Sequence, residues 1–211
     1  MKRSLPWLIA ILLLAGLCWQ FPPFHLRSLR AMRQAQAAAR FDAKEFVTTF
    51  WTGQLLPATD RAADVASVVE TIKTSPQDVR TKFGRTVGVS SSYYLFVRGS
   101  GRVVSADAES IGLSVGPTGD EADVIVALDF VFGNAVRDAT GLLDSSSYPN
   151  AQEFNDISAE LNKIVEEQVL PTFRRAATVG QRVKFAGCIE VADEQADLKP
   201  LKLVPVSVQS E

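Results

Sequence analysis

The sequence is poor in the residues on which most enzyme and metal chemistry depends. Its 211 residues include one histidine, His25, and two cysteines, Cys18 and Cys188. A nucleophile–histidine arrangement needs a histidine inside the fold, and zinc sites need several imidazole or thiolate ligands. The chain also contains neither a phosphate-binding loop nor a dinucleotide-binding glycine motif. The sequence therefore predicts no catalytic residue, no metal site and no cofactor.

Long basic runs are missing too. Of the 22 lysines and arginines, Lys2 and Arg3 stand at the extreme N-terminus, and the other 20 are set against 24 acidic residues. Domains that bind nucleic acid carry clustered basic residues, often interleaved with aromatic ones. We therefore expect no nucleic-acid partner for this mildly acidic chain.

The two cysteines are not expected to pair with each other. Cys18 lies within an apolar N-terminal segment, whereas Cys188 lies near the other end of the chain. The first would then lie in lipid and the second in the folded domain. A free cysteine is often buried as a small apolar residue. We expect Cys188 to be buried in this way.

A long uncharged stretch follows Lys2 and Arg3. Residues 5–24 carry no charged side chain, and residues 7–19 are almost purely apolar. A basic start followed by an apolar run is the pattern of an export signal. We interpret residues 1–24 as an uncleaved signal anchor, held in the inner membrane through residues 5–24. Residues 25–211 are then one domain on the periplasmic, extracytoplasmic side.

Lipidation of Cys18 is the alternative to an uncleaved anchor. Leu14, Ala15 and Gly16 approach the cysteine as the residues of a lipobox do, although Leu17 stands where a small residue is usual. Both interpretations attach the chain to a membrane, because either a transmembrane segment or a lipid chain partitions into the bilayer. Both therefore predict a protein of the bacterial cell envelope.

The remaining sequence predicts an α+β domain in which helices come before a sheet. Apolar residues recur at helical spacing over 29–56, 61–74 and 76–83, with Pro57 ending the first helix. Beyond Gly84 the spacing changes to the alternation of strands. We predict strands over 93–98, 103–107, 111–115 and 123–132.

Three details of these elements are specific enough to test. The run Gly99-Ser100-Gly101 is predicted to be the turn between the first two strands. Phe130 and Phe132 are predicted to lie on the core face of the fourth strand, which alternates from Val124 onward. In the second helix, Thr59 or Asp60 is the predicted N-cap, and Ala66 is predicted to face inward with Val69 and Ile72.

The end of the chain suggests how the sheet is completed. A helix over 152–176, which Pro171 is expected to kink or end early, precedes two final strands near 183–191 and 201–208. Strands, one long helix and two more strands is the order of a five-stranded OB-like barrel. It is equally the order of many small antiparallel sheets, so both architectures remain open.

The most unusual polar run follows the fourth predicted strand. It begins at Gly133 and contains the adjacent pair Arg137 and Asp138. A glycine there allows a left-handed backbone or a close approach of another chain segment. Arg137 could bind an anionic or polar ligand with its planar guanidinium. Alternatively, the pair is structural and joins the sheet to neighbouring helices, which is the interpretation that we favour.

Paired carboxylates offer the remaining route to catalysis. Asp129, Asp138, Glu153 and Asp156 are candidates for a carbohydrate hydrolase, which needs two acids at a defined separation. The sequence places no two of them at that separation. Surface acids on a strand and a helix are the simpler interpretation, and hydrolase activity remains an alternative.

Several segments taken together resemble the domain of unknown function 2291 family, described as predicted periplasmic lipoproteins. The order and spacing of the segments carry the resemblance, which covers most of residues 25–191. The segments are FDAKEFVTTFWTGQLLP from Phe41, GRTVG from Gly84, YLFVRGSGRV from Tyr94, GNAVRDA from Gly133, residues 148–162 and residues 180–187.

The resemblance implies both a candidate site and a role. The family's glycine–alanine–arginine–aspartate pattern falls on Gly133, Ala135, Arg137 and Asp138. Its asparagines around the long helix fall on Asn150 and Asn162. Ala151 stands where the family pattern has glutamine, which weakens a shared polar site there. Family members look like companions of ABC-type sugar-uptake transporters. The expected function is a membrane-anchored accessory or binding protein, with a purely structural envelope protein as a further alternative.

Overall fold

The computed structural model describes residues 41–116, 119–144, 148 and 151–211. The predicted signal anchor, Cys18 and Asn150 lie outside the described residues. None of the described helices is long and apolar enough to cross a bilayer. Residues Asp42–Glu211 pack together as one compact unit, and the structure below is that of this unit.

A curled, seven-stranded sheet organises the domain, and its main path runs in the order β6-β4-β3-β2-β5-β7. The short strand β1 pairs with β2 beside this path. The strands are β1 Ala63–Asp64, β2 Tyr93–Ala106, β3 Ser110–Ser114, β4 Val124–Ala127, β5 Arg182–Val191, β6 Leu201–Lys202 and β7 Val204–Ser210.

The end of the chain joins the two sides of this sheet. β6 pairs in parallel with β4, and β7, which follows after Leu203, pairs antiparallel with β5. One continuous segment therefore contacts both ends of the strand order and curls the sheet around a core that includes Val103, Leu113 and Val126. Of the two predicted architectures, this curled, partly closed sheet agrees with the OB-like one, because OB-folds are partly open barrels.

The first long strand differs from the prediction. Gly99-Ser100-Gly101 is not a turn, because β2 runs through it and pairs with β5 from Tyr93 to Arg102. A Cβ at Gly99 would overlap the Val65 side chain, and one at Gly101 would lie 3.1 Å from the Cβ of Leu113. The two glycines allow the side chains of Val65 and Leu113 to pack closely against β2. They do not reverse the direction of the chain.

The fourth strand is shorter than predicted. β4 ends at Ala127, and the next residue, Leu128, donates its N–H to the Glu109 carbonyl. Phe130 and Phe132 lie beyond the strand and are 71% and 80% exposed, so their predicted place in the core is wrong. In the sequence, large apolar residues still recur at every second position after Ala127, although β4 has ended there and its pairing with the neighbouring strands has stopped.

The helices pack against the sheet and against one another. They are α1 Ala43–Phe50, α2 Leu56–Ala58, α3 Val65–Thr74, α4 Val79–Phe83, α5 Ala135–Ala139, α6 Ala151–Ile164, α7 Leu170–Ala176 and α8 Glu194–Asp197. Asp64 is the N-cap of α3 and accepts hydrogen bonds from the N–H groups of Ala66 and Ser67. The helix therefore begins later than predicted, and Ala66 is exposed.

The two predicted proline breaks differ: α2 ends one residue after Pro57, whereas α7 continues for five residues after Pro171. A π-helical turn, Trp51–Leu55, joins α1 to α2, and another, Val165–Val169, joins α6 to α7. Pro57 and Pro171 each stand directly after such a turn, in the first turn of the segment that follows. A π turn shifts the backbone hydrogen bonds from i−4 to i−5, so the helix passes Pro171.

Two core predictions are confirmed. The α6 stripe of Phe154, Ile157 and Leu161 is buried, and it continues through Val165 in the π turn. The Cys188 side chain is fully buried. Burial raises the pKa of the Cys188 thiol well above its ordinary value, so the thiol remains protonated and unreactive.

Candidate functional site

The short helix α5 carries the adjacent charged pair that the sequence singled out. Every residue of α5 is buried, including Arg137 at 7% and Asp138 at 4% exposure. Arg137 donates from Nε to Asp138 Oδ1 at 2.7 Å and from its Nη2 to Oδ2 at 2.9 Å. Both carboxylate oxygens thus accept hydrogen bonds from one guanidinium in a fork-like, charge-assisted arrangement.

The Arg137 guanidinium also connects α5 with α6. Its central carbon lies 3.8 Å from the centroid of the Phe154 ring, within the range of a cation–π contact. Its Nη1 donates a long hydrogen bond of 3.4 Å to the Phe154 carbonyl oxygen. These hydrogen bonds use three of the five N–H donors of the guanidinium, and the Phe154 ring covers one of its faces. They support the structural interpretation of the pair.

The loop 128–134, which precedes α5, is held by two side chains of α6 and by one of the π turn that follows it. Ser158 donates to Asn134 Oδ1 at 3.0 Å, and Asn162 donates from Nδ2 to the Gly133 carbonyl at 3.1 Å. Glu166 accepts the Val131 N–H at 2.8 Å. We call Ser158, Asn162 and Glu166 the clamp. Its members recur every four residues and so share one face of the helix.

Gly133 is the point at which the clamped loop needs a glycine. Its φ is +86°, in the left-handed region that other residues rarely adopt. A Cβ at this position would lie 3.3 Å from Glu190 Oε2 on β5. The glycine therefore sets the chain direction between the clamped loop and α5, and it leaves room for an acidic side chain.

Tyr94, on β2, joins the same cluster from the sheet side. Its hydroxyl donates a long hydrogen bond of 3.4 Å to Glu190 Oε1. Burial, together with the negative charges of Glu190 and Asp138, raises the pKa of Tyr94 to about 12, although the positive charge of Arg137 acts in the opposite direction. The phenol thus remains protonated in the folded state.

The raised pKa predicts an alkaline limit to stability. Because the folded-state pKa of Tyr94 exceeds the ordinary value of 10, its contribution to stability is complete below pH 10 and is lost as the pH rises to about 12. The pKa values of Tyr93 and Tyr94 are both about 12 in the folded protein. Titration followed by the ultraviolet absorbance of phenolate should therefore show that both tyrosines ionise at a higher pH in the folded protein than in the urea-unfolded protein. Coincident titration curves would contradict this expectation, and Tyr94→Phe should remove one late-titrating group.

The structure brings most of the predicted site residues together. Gly133, Arg137, Asp138 and Asn162 meet around α5 and α6, as the contacts above describe. Asn150 lies outside the described residues, as does Cys18. A ligand-binding role for this group remains a prediction.

Sequence reasoning missed other members of the cluster. They are Tyr94, Asn134, Phe154, Ser158, Glu166 and Glu190. Only the clamp left a signal in the sequence, namely polar residues at four-residue spacing beside the apolar stripe of the long helix. Tyr94 and Glu190 come from distant strands, and only the sheet pairing places them side by side.

The proposed hydrolase carboxylates occupy dissimilar environments. Asp138 is buried and bound to Arg137, whereas Asp129 is exposed in the clamped loop. Asp156 is exposed on α6 and accepts a hydrogen bond from Gln152 at 2.7 Å. A glycosidase pair must face one substrate from two sides. The bidentate contact with Arg137 leaves Asp138 without a free acidic group for that task.

A separate groove of about 720 Å³ lies between α3 and the loops that flank β4 and β6. Lys73 bridges to Asp123 across 2.8 Å at its edge, and Val69, Ile72 and Leu198 contribute apolar lining. Burial alone would raise the pKa of Asp123, but hydrogen bonds from Lys73 and the Val115 N–H hold it below its usual range. The volume lies within the range of small-molecule sites. Across the described ranges, no group of three or more potential metal ligands occurs.

The order of the strands defines an OB-type domain. The clamp holds its surface loop 128–134 in place. The chain belongs to the predicted periplasmic lipoprotein family DUF2291, whose model matches residues 8–209. This confirms the resemblance and an envelope location. A lipoprotein description agrees with the alternative of lipidation at Cys18, while the uncleaved inner-membrane anchor remains a prediction.

One solved structure supports the fold. The chain is similar to an OB-fold protein from Thermotoga maritima MSB8, with 26% identity and a TM-score of 0.72. The match covers 81% of this chain and 99% of that protein. No curated protein sequence matches the chain. The similarity includes nearly all of that protein and therefore supports the OB-type fold, while function has to be argued from the site itself.

Proposed function

We propose that this protein is a non-catalytic binding module, tethered in the bacterial envelope, that acts as an accessory to a sugar-uptake transporter of the ABC type. Membership of a periplasmic lipoprotein family supports the tether and the location. The OB-type fold supports binding, since OB-folds commonly bind ligands through loops and strand faces. The transporter partnership is supported by the family resemblance alone.

One arrangement favours binding over catalysis. The charged and polar groups of the candidate site are used internally: Arg137 neutralises Asp138, and the clamp holds the backbone of the loop 128–134. A general acid or base needs a group free to exchange a proton with substrate. Here the polar residues instead fix the shape of a surface loop, which is what a recognition surface requires.

Co-purification from native membranes tests the partnership. The full-length chain, carrying an affinity tag at its C-terminus and solubilised in mild detergent, is expected to recover the permease or the solute-binding protein of a sugar transporter. The control is residues 1–40 fused to an unrelated soluble domain, which keeps the membrane attachment but lacks the OB-type domain. Mass spectrometry of both eluates gives the enrichment.

Equal recovery of transporter components by the two proteins would refute the proposed partnership. The result would then reflect shared membrane residence rather than recognition by the domain. A purely structural envelope protein, the alternative interpretation, would recover no transporter component in either case.

A further inference from the structure

We propose that the loop 128–134 is a docking element, in which Phe130 and Phe132 insert into an apolar pocket, bordered by lysine or arginine, on a partner protein. The inference rests on the proposed function, because it takes the partner to be a protein of the same envelope compartment. It goes further by naming the surface that makes the contact and the chemistry of the surface that receives it.

The two phenylalanines are unusually exposed for their size. Phe130 is 71% and Phe132 is 80% exposed, and their ring centroids lie only 5.9 Å apart. Single exposed apolar residues are common, but a pair of neighbouring aromatic rings forms one apolar projection. Aromatic side chains of this kind serve as anchors at protein interfaces, where burial of a few residues supplies most of the binding free energy.

The loop that carries the rings is supported at several points. Leu128 is bound through its N–H to the Glu109 carbonyl, and the clamp binds the backbone or side chain at Val131, Gly133 and Asn134. The backbone on both sides of Phe132 is therefore fixed before any partner arrives. Such preorganisation reduces the ordering entropy lost on association. An unsupported loop could instead have folded its aromatic rings back onto the core.

The charges around the loop indicate whether its partner is a protein or a membrane surface. Asp129 lies in the loop, Glu166 binds its backbone, and the Glu190 carboxylate lies beside Gly133. No lysine or arginine side chain of the described residues hydrogen-bonds or ion-pairs with the loop. An anionic lipid surface would repel these carboxylates. A pocket bordered by basic residues complements them, which favours a protein.

Site-specific photo-crosslinking tests the inference in the full-length chain in its native envelope. p-Benzoylphenylalanine placed at position 132 should give a discrete protein adduct. The same probe at Val179, another exposed apolar position at 60% exposure, is the matched control and should not. Because anchor residues supply most of the binding free energy of an interface, Phe130→Ser should reduce the adduct at position 132 about thirtyfold or more, which corresponds to about 2 kcal/mol.

The identity of the adduct decides the outcome. Peptide mapping should place the crosslink in an apolar cleft that is flanked by lysine or arginine, and Asp129→Lys should weaken the adduct. The inference is overturned by an adduct to lipid, by an adduct to a second copy of this chain, by equal adducts from positions 132 and 179, or by a cleft flanked by acids. Phe130→Ser should leave the melting temperature nearly unchanged, because the side chain is exposed. A large decrease would show that the ring supports the fold and would count against docking.

The two proposals can fail separately. If Phe130→Ser with Phe132→Ser still recovers transporter components at the wild-type yield, the docking role of the loop is wrong while the accessory function stands. If position 132 crosslinks to a basic-rimmed protein that belongs to no transporter, the docking role stands while the proposed function fails.

Discussion

Replacement of Arg137 with methionine is expected to lower the free energy of unfolding by about 3–5 kcal/mol, because it leaves the Asp138 carboxylate buried without its partner. Both residues are less than a tenth exposed, and both oxygens of Asp138 depend on this one guanidinium. Urea unfolding of residues 25–211, followed by circular dichroism, measures the change. A loss below about 1 kcal/mol, the value of an exposed ion pair, would contradict the buried geometry.

The double variant Arg137→Met with Asp138→Leu is the matched control. It removes both charges and replaces them with apolar groups, so it should recover a large part of the lost stability. Recovery would show that the cost of the single change comes from an unpaired buried charge. If the double variant were as unstable as Arg137→Met, the loss would come from packing against Phe154 instead.

Replacement of Gly187 with alanine is expected to destabilise the domain by about 2–3 kcal/mol, as overpacking of a closely packed site does. A Cβ at this position would lie 2.6 Å from the Val204 carbonyl oxygen and 2.7 Å from Leu203 Cδ1. The Val204 oxygen belongs to the backbone of β7, so it cannot rotate away. The β5–β7 pairing, which completes the curl of the sheet, would have to separate locally.

Gly53→Ala is the control for this second prediction. Gly53 lies in the π-helical turn after α1, where an added Cβ meets nothing within 4 Å. Alanine is favoured over glycine in helical backbone, so this variant should be neutral or more stable by up to about 1 kcal/mol. Urea unfolding of both variants gives the comparison. Similar losses at both positions would show that the close contact at Gly187 is not the cause.

Local sequence patterns predicted the kinds of elements better than their ends. The apolar stripe from Phe154 to Val165 identified the long helix, because helical periodicity follows directly from one buried face. The same reasoning failed at Phe130 and Phe132, where alternation continued after the strand had ended. A strand ends when its backbone loses its neighbour, and that neighbour comes from elsewhere in the chain.

Two glycines also show where local sequence patterns mislead. Gly99 and Gly101 were predicted to form a turn because glycine favours turns. In the structure they lie within one long strand, since Val65 and Leu113 approach too closely for any side chain. The reason for each glycine is a residue far away in sequence, and no local pattern contains it.

The candidate site was predictable only in part. The run that contains Gly133, Arg137 and Asp138 was unusual in the sequence itself, whereas Asn162 was indicated only by the family resemblance. The sequence did not indicate what these residues do for one another. Arg137 could have faced solvent or the interior, and the choice depends on Phe154 and α6 packing above it.

The sequence alone determined that this chain has an apolar N-terminal segment, an α+β domain and a buried Cys188. Those properties follow from residue types and short-range periodicity, which are local. The tertiary structure alone decided that β6 and β7 bridge the two sides of the sheet, that Arg137 is neutralised by Asp138, and that two phenylalanines remain at the surface. These features depend on contacts between segments that are distant in sequence, and such contacts form only when the chain folds.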